Sequence, residues 1–219
     1  MNRILNAIKL DVVTSRLMLL MSVIVLVGAT IIGYVTSLPP LTIGLSMLFS
    51  VYFTGMVFSV HEKNHSDKLY GILPLKRSEM VTGRYLYGLS FGVVNGVLGG
   101  LLGYLVYVAH GITFDPFIFW GTWSMVFLYF CLAVSLSYAI YFKFSFAKTN
   151  VFTNLPLYLV MLFTILMVRR FGIVDKIPQI INFFSDKIFI LPIIGVCGGL
   201  ILLAISSTIA NAVYKNKEL

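Results

Sequence analysis

The chain has 219 residues, 59% of them hydrophobic and only 11% charged, with a mean hydropathy of +0.96. Soluble domains carry roughly a quarter of their residues as charges, so a surface this poor in charge excludes an ordinary water-soluble globule. The net charge of +8 does not point to nucleic acid. The cations sit in short segments between apolar runs, with no basic and aromatic interleaving on a solvated face, and cations beside lipid spans set topology and meet anionic headgroups.

In chain order, residues 1–15 come first. Met1, Ile4, Leu5, Ile8 and Val12 share one helical face, with Arg3, Asn6 and Lys9 away from it. This pattern predicts a helix lying along the cytoplasmic membrane interface. Arg3, Lys9 and Arg16 resemble a secretory n-region, but the apolar run behind them exceeds the usual ~7–15 residues, so an anchor is expected rather than a cleaved signal. Residues 17–60 contain no Asp, Glu, Lys or Arg, and a bilayer-crossing helix needs only about 20 apolar residues.

Six spans are predicted, near 17–36, 41–60, 85–109, 117–142, 151–168 and 188–213. Backbone polar groups in hydrocarbon must be satisfied internally, which requires helices. Pro39 and Pro40 end the first span, and His110 to Pro116 forms another short connection. With the N-terminus inside, the inner segments hold 12 Lys and Arg and the outer ones 4, which predicts both termini in the cytoplasm. Gly88, Gly92, Gly96, Gly99, Gly100 and Gly103 form a small-residue stripe on the third span, suited to close helix packing. Between the fifth and sixth spans, Ile177, Ile180, Ile181 and Phe184 recur at helical spacing, predicting a short extracellular helix in the outer leaflet. Cys131 and Cys197 lie inside apolar runs and read as packing residues. The expected architecture is one all-α membrane domain over residues 1–219.

The polar segment 61–84 carries the chemistry. His61-Glu62-Lys63-Asn64-His65 fits H-E-x-x-H, which puts two zinc ligands one helical turn apart beside a general base. A third protein ligand is wanting: the remaining histidine, His110, falls on the opposite membrane side. No Walker glycine loop occurs, so no nucleotide is expected on this chain by that route. The span centres offer no Asp, Glu or His for ion coupling, so energy for transport must enter from outside the spans. Leu69, Ile72 and Leu73 can line one face of a short helix ended by Pro74, a face that suits a protein groove. Lys76, Arg77 and Arg84 can pair with acids or lipid phosphates.

Glu62-Lys63-Asn64, Asp67-Lys68-Leu69, Leu73-Pro74-Leu75-Lys76-Arg77-Ser78-Glu79-Met80-Val81 and Arg84-Tyr85 together resemble the cytoplasmic signature of ABC-2-type exporter permeases. Closest in character are small six-span bacterial permeases linked to export of antimicrobial or amphipathic peptides, including phenol-soluble modulins. The resemblance extends over the whole chain through the six-span layout. It implies the permease subunit of an ABC exporter in the bacterial cytoplasmic membrane, moving an amphipathic peptide or lipid-like drug. It also implies an ATPase partner subunit that binds ATP and Mg, and a second permease chain. Asp67, Leu69, Ile72, Leu73, Pro74, Leu75, Lys76, Arg77 and Glu79 would then form the ATPase-coupling site, while His61 and His65 read as neutral substitutions. The competing readings are a zinc-dependent intramembrane protease using His61 and His65, and a non-enzymatic membrane scaffold.

Overall fold

The computed structural model describes residues 2–63, 76–144, 146–149 and 190–215. Among these residues the chain is helical, without a strand. α1 (Asn2–Thr14) is followed by five longer helices: α2 (Arg16–Val35), α3 (Pro39–Lys63), α4 (Arg77–Ala109), α5 (Pro116–Lys143) and α6 (Ile190–Lys215). α2 to α6 are long and apolar enough to cross a membrane. They coincide with five of the six predicted spans. The predicted span at 151–168 and the helix at 177–184 lie outside the described residues.

Local chemistry sets the ends of these helices. Asp115 opens α5: its Oδ1 accepts from Phe117 N (2.8 Å) and Ile118 N (3.3 Å), with Pro116 at the first helical position. A proline there loses nothing, because that N–H has no intrahelical acceptor. Between α2 and α3, Ser37 takes a positive φ of 54° and turns the chain into Pro39.

The boundaries around the polar segment differ from expectation. α3 continues to Lys63, and α4 begins at Arg77 rather than near residue 85. Glu79 reaches back to accept from Lys76 N (2.9 Å) and starts the helix there. The first two turns of α4 bury Met80, Val81 and Arg84, so Arg84 is an interior residue and not a boundary marker. At 33 residues, α4 is roughly 50 Å long, against about 30 Å of hydrocarbon.

α4 is the central post. Its glycine stripe faces α3 and α5: a Cβ at Gly92 would strike the Phe130 ring, one at Gly99 the Ser46 side chain, and one at Gly88 would lie 2.7 Å from the Tyr138 hydroxyl. Such small residues let helix backbones approach without any hydrophobic drive from water. The main core then gathers Met47, Val51, Phe58, Val81, Tyr85, Phe130, Val134, Tyr138 and Phe142.

α5 and α6 make the most extensive interhelical contact, and they run parallel. Gly195 lies against Ser124 and Gly199 against Cys131. Further along, Ser206 Oγ donates to Ser135 O (2.6 Å) and the Phe142 and Tyr214 rings meet at 5.4 Å. Tyr85 on α4 closes the set by donating its hydroxyl to Ser206 Oγ (2.7 Å). α5 therefore finishes, and α6 begins, at opposite ends of the bundle.

α1 meets the bundle through a narrow face of small and polar residues. Ala7, Asp11 and the following Ser15 are buried, Ile4 and Ile8 half-buried, while Leu5 and Val12 are exposed. The cause is α4: a Cβ at Gly83 would sit 2.9 Å from the Ala7 Cβ. The small residue of α1, not its largest apolar ones, lets the two helices touch.

Candidate functional site

α1, the end of α3, the start of α4 and the ends of α5 and α6 meet at one end of the bundle. Three ionisable side chains from three elements are buried there: Asp11 (2% exposed), His61 (4%) and Arg84 (5%). His61 Nε2–H donates to Asp11 Oδ1 at 2.9 Å, and Arg84 Nε stands 4.0 Å from the same oxygen. The Arg84 guanidinium lies over the Phe58 ring (4.6 Å to the centroid) and near Phe142 (5.6 Å). Aromatic faces favour a desolvated cation electrostatically, so Arg84 is held by a carboxylate and two ring faces. A second buried contact fastens α1 to α4. Ser15 Oγ donates to Asp11 O (2.7 Å), so it must accept from the Tyr87 hydroxyl at 2.6 Å.

The consequence is mechanical. Asp11 belongs to α1, His61 to the last turn of α3 and Arg84 to the second turn of α4. Residues 64–75 connect those two helix ends. A displacement of that connection moves α1, α3 and α4 together, or else separates buried charges, which is costly in a low-dielectric surround.

Arg77 extends the linkage to α6. Its Nη1 donates to the carbonyls of Lys215 (3.2 Å) and Tyr214 (3.5 Å), where a helix C-terminus leaves acceptors without intrahelical donors. Glu62 Oε2 accepts from Ala147 N (3.2 Å), tying the end of α3 to the chain beyond α5. A cavity of about 370 Å³ opens between these elements, lined by Phe58, His61, Glu62, Arg84, Tyr141, Phe142, Lys143, Phe144, Phe146, Lys148 and Tyr214.

Of the residues singled out from the sequence, Lys76, Arg77 and Glu79 are at this end of the bundle, Arg77 on α6 and Glu79 capping α4 through Lys76 N. Asp67, Leu69, Ile72, Leu73, Pro74 and Leu75 lie outside the described residues, as does His65. His61 is engaged with Asp11, a partner that neither the zinc-ligand reading nor the neutral-substitution reading of the sequence gave it. Among the described residues no group of three or more His, Cys, Asp or Glu is placed to hold a metal ion.

Sequence reasoning missed Asp11 and the inward side of Arg84. Ala7, Asp11 and Ser15 recur every four residues, a narrow stripe of small and polar side chains, but the larger apolar residues beside them dominated the pattern. Nothing in one sequence tells that Asp11, His61 and Arg84, from three separate segments, converge.

The chain is similar to the family described as ABC-2 family transporter protein, whose sequence profile matches residues 6–215. The matched range takes in α1 from residue 6 onward, the five longer helices and the connection 64–75. No curated protein and no solved structure matches the chain.

Proposed function

This chain belongs to the ABC-2 transporter family, and on that premise we propose that it is the membrane half of an ATP-driven exporter that moves an amphipathic substrate out of the cell. It is a multi-pass membrane protein and an ABC transporter permease. Membrane subunits of this family are not themselves enzymes: the ATPase activity lies in a separate subunit, and the family normally works with such a partner. ATP and Mg would be held there. The assembly we propose is two permease chains with two ATPase chains in a bacterial cytoplasmic membrane.

The observation that carries the reading is the buried Asp11–His61–Arg84 set. It joins the N-terminal helix to both helices flanking residues 64–75. A segment that docks on an ATPase is useful only if its motion reaches the spans, and this linkage supplies a rigid path. We assign the docking contacts to Asp67, Leu69, Ile72, Leu73, Pro74, Leu75, Lys76, Arg77 and Glu79. The cytoplasmic side is then the end holding α1, in keeping with the excess of Lys and Arg in the segments on that side. The parallel course of α5 and α6 supports six spans, and we assign the return crossing between them to the apolar run 151–168. α1 would lie at the inner interface and residues 177–184 in the outer leaflet.

The test is coupling. Leu69→Asp and Leu73→Asp variants, co-purified with the partner ATPase and reconstituted, should retain a monodisperse permease while transport-linked ATP hydrolysis is lost. Full coupled hydrolysis in both variants would reduce residues 64–75 to a topological connection.

A further inference from the structure

The cavity at the α1 end has a chemistry that the coupling role does not use. Arg84 is part of its lining, with Asp11 Oδ1 4.0 Å from its Nε. Lys143 and Lys148 stand exposed at its rim, and neither has a carboxylate partner among the described residues. Lys143 Nζ lies 5.2 Å from the Phe144 ring centroid. The one acid in the lining, Glu62, is turned to accept the backbone N–H of Ala147 at 3.2 Å. The lining is therefore cationic on balance, while Phe58 and Tyr141 supply aromatic wall.

We propose that this cavity binds the anionic, phosphate-bearing head of an amphiphile drawn from the inner leaflet. Three features select that class. At about 370 Å³ the cavity is near the small end of ligand pockets, which run ~300–1,000 Å³: it accepts a headgroup, not a whole lipid or folded peptide. Two lysines lining one cavity suit phosphate as point charges. An aromatic wall beside cations at a membrane-water boundary suits a molecule with one wet and one greasy end, whereas a free phosphate ion would gain nothing from Phe58 and Tyr141. The inner-leaflet source rests on the orientation proposed above. The binding itself needs no ATPase, so loss of coupling and loss of this site are separable results.

The test uses the purified chain in a neutral maltoside detergent, titrated with dioctanoyl phosphatidylglycerol, dioctanoyl phosphatidylcholine or inorganic phosphate. Binding is read by native mass spectrometry and by the rise in unfolding temperature. Phosphatidylglycerol should bind at least tenfold tighter than phosphatidylcholine. Lys143→Gln/Lys148→Gln, on exposed positions that leave the fold intact, should weaken it about ten- to thirtyfold, at the scale of one basic residue's attraction to an anionic head taken twice. Lys143→Arg/Lys148→Arg should restore binding. Equal binding of the two lipids, or undiminished phosphatidylglycerol binding by the double Gln variant, overturns the proposal. Protection by inorganic phosphate as strong as by phosphatidylglycerol would also overturn it, leaving a plain anion site.

Discussion

Asp11→Asn is the most informative single change. It preserves shape and an oxygen near His61 Nε2, and removes only the charge. Deleting one member of a buried charge pair costs ~3–5 kcal/mol when the counter-ion is stranded. Arg84 is not stranded: Asp11 is already 4.0 Å from it, and the Phe58 face at 4.6 Å remains, an interaction of order 0.5–2 kcal/mol. The His61 hydrogen bond at 2.9 Å changes from a charge-assisted bond of ~1.5–3 kcal/mol to a neutral one of ~1. The net expectation is a loss of about 2 kcal/mol, with the larger Asp11→Leu penalty approaching the stranded limit. At about 2–4 °C per kcal/mol for a chain of this size, the unfolding temperature should fall by about 4–8 °C. The assay heats purified protein in detergent and follows the monodisperse fraction by size-exclusion chromatography. Adding His61→Gln to Asp11→Asn should cost less than the sum of the two, with a coupling of about 1 kcal/mol. An Asp11→Asn protein within about 1 °C of the parent, far below that scale, together with additive His61→Gln, would refute the interaction and the mechanical argument built on it.

Other changes test other links. Ser206→Ala removes the group that joins Tyr85 to the Ser135 carbonyl and should cost ~1–2 kcal/mol, the upper range for interhelical hydrogen bonds in membranes. Tyr85→Phe should cost about the same, and the double change little more, in thermal melts. Gly92→Val drives a side chain into the Phe130 ring, whereas Gly28 has nothing within 4 Å of an added Cβ. The first should lose ~3 kcal/mol or more, above usual overpacking costs because the obstacle is a buried ring, while Gly28→Ala should melt at or slightly above the parent temperature. Asp115→Ala removes the acceptor for Phe117 N and Ile118 N and should cost ~1 kcal/mol, the usual value of an N-cap, measured in the same melts.

What was legible in the sequence is what lipid dictates locally. A charge-free run such as 17–60 has no aqueous alternative to a helix, and the glycine stripe at 88–103 announces a packing face whichever helix fills it. What was not legible depends on convergence. Arg84 was placed outside the bundle because charges served as boundary markers, yet Phe58, Phe142 and Asp11 make a buried place for it. His61 looked like half of a metal motif, since its i+4 neighbour was visible and its real partner, fifty residues earlier, was not. The inward contact of α1 was hidden for a related reason: Gly83 requires a small residue opposite it, and Ala7 leaves little mark in an apolar pattern.

The parallel pairing of α5 and α6 has a consequence for how the protein is made. α5 leaves the ribosome with the groove that holds α6 empty, its Phe127, Cys131 and Ser135 edge turned to lipid, and 46 residues (144–189) must be synthesised before Ile190 appears. At about 5–20 residues per second that interval is roughly 2–9 s, long beside the microseconds in which helices form. Through those seconds the groove of α5 is open to any helix within the bilayer, including that of another nascent chain. α6 is the keystone set after the other helices described, so a ribosome stalled in 144–189 would leave a half-built arch that holds α5 by little more than its contacts with α3 and α4.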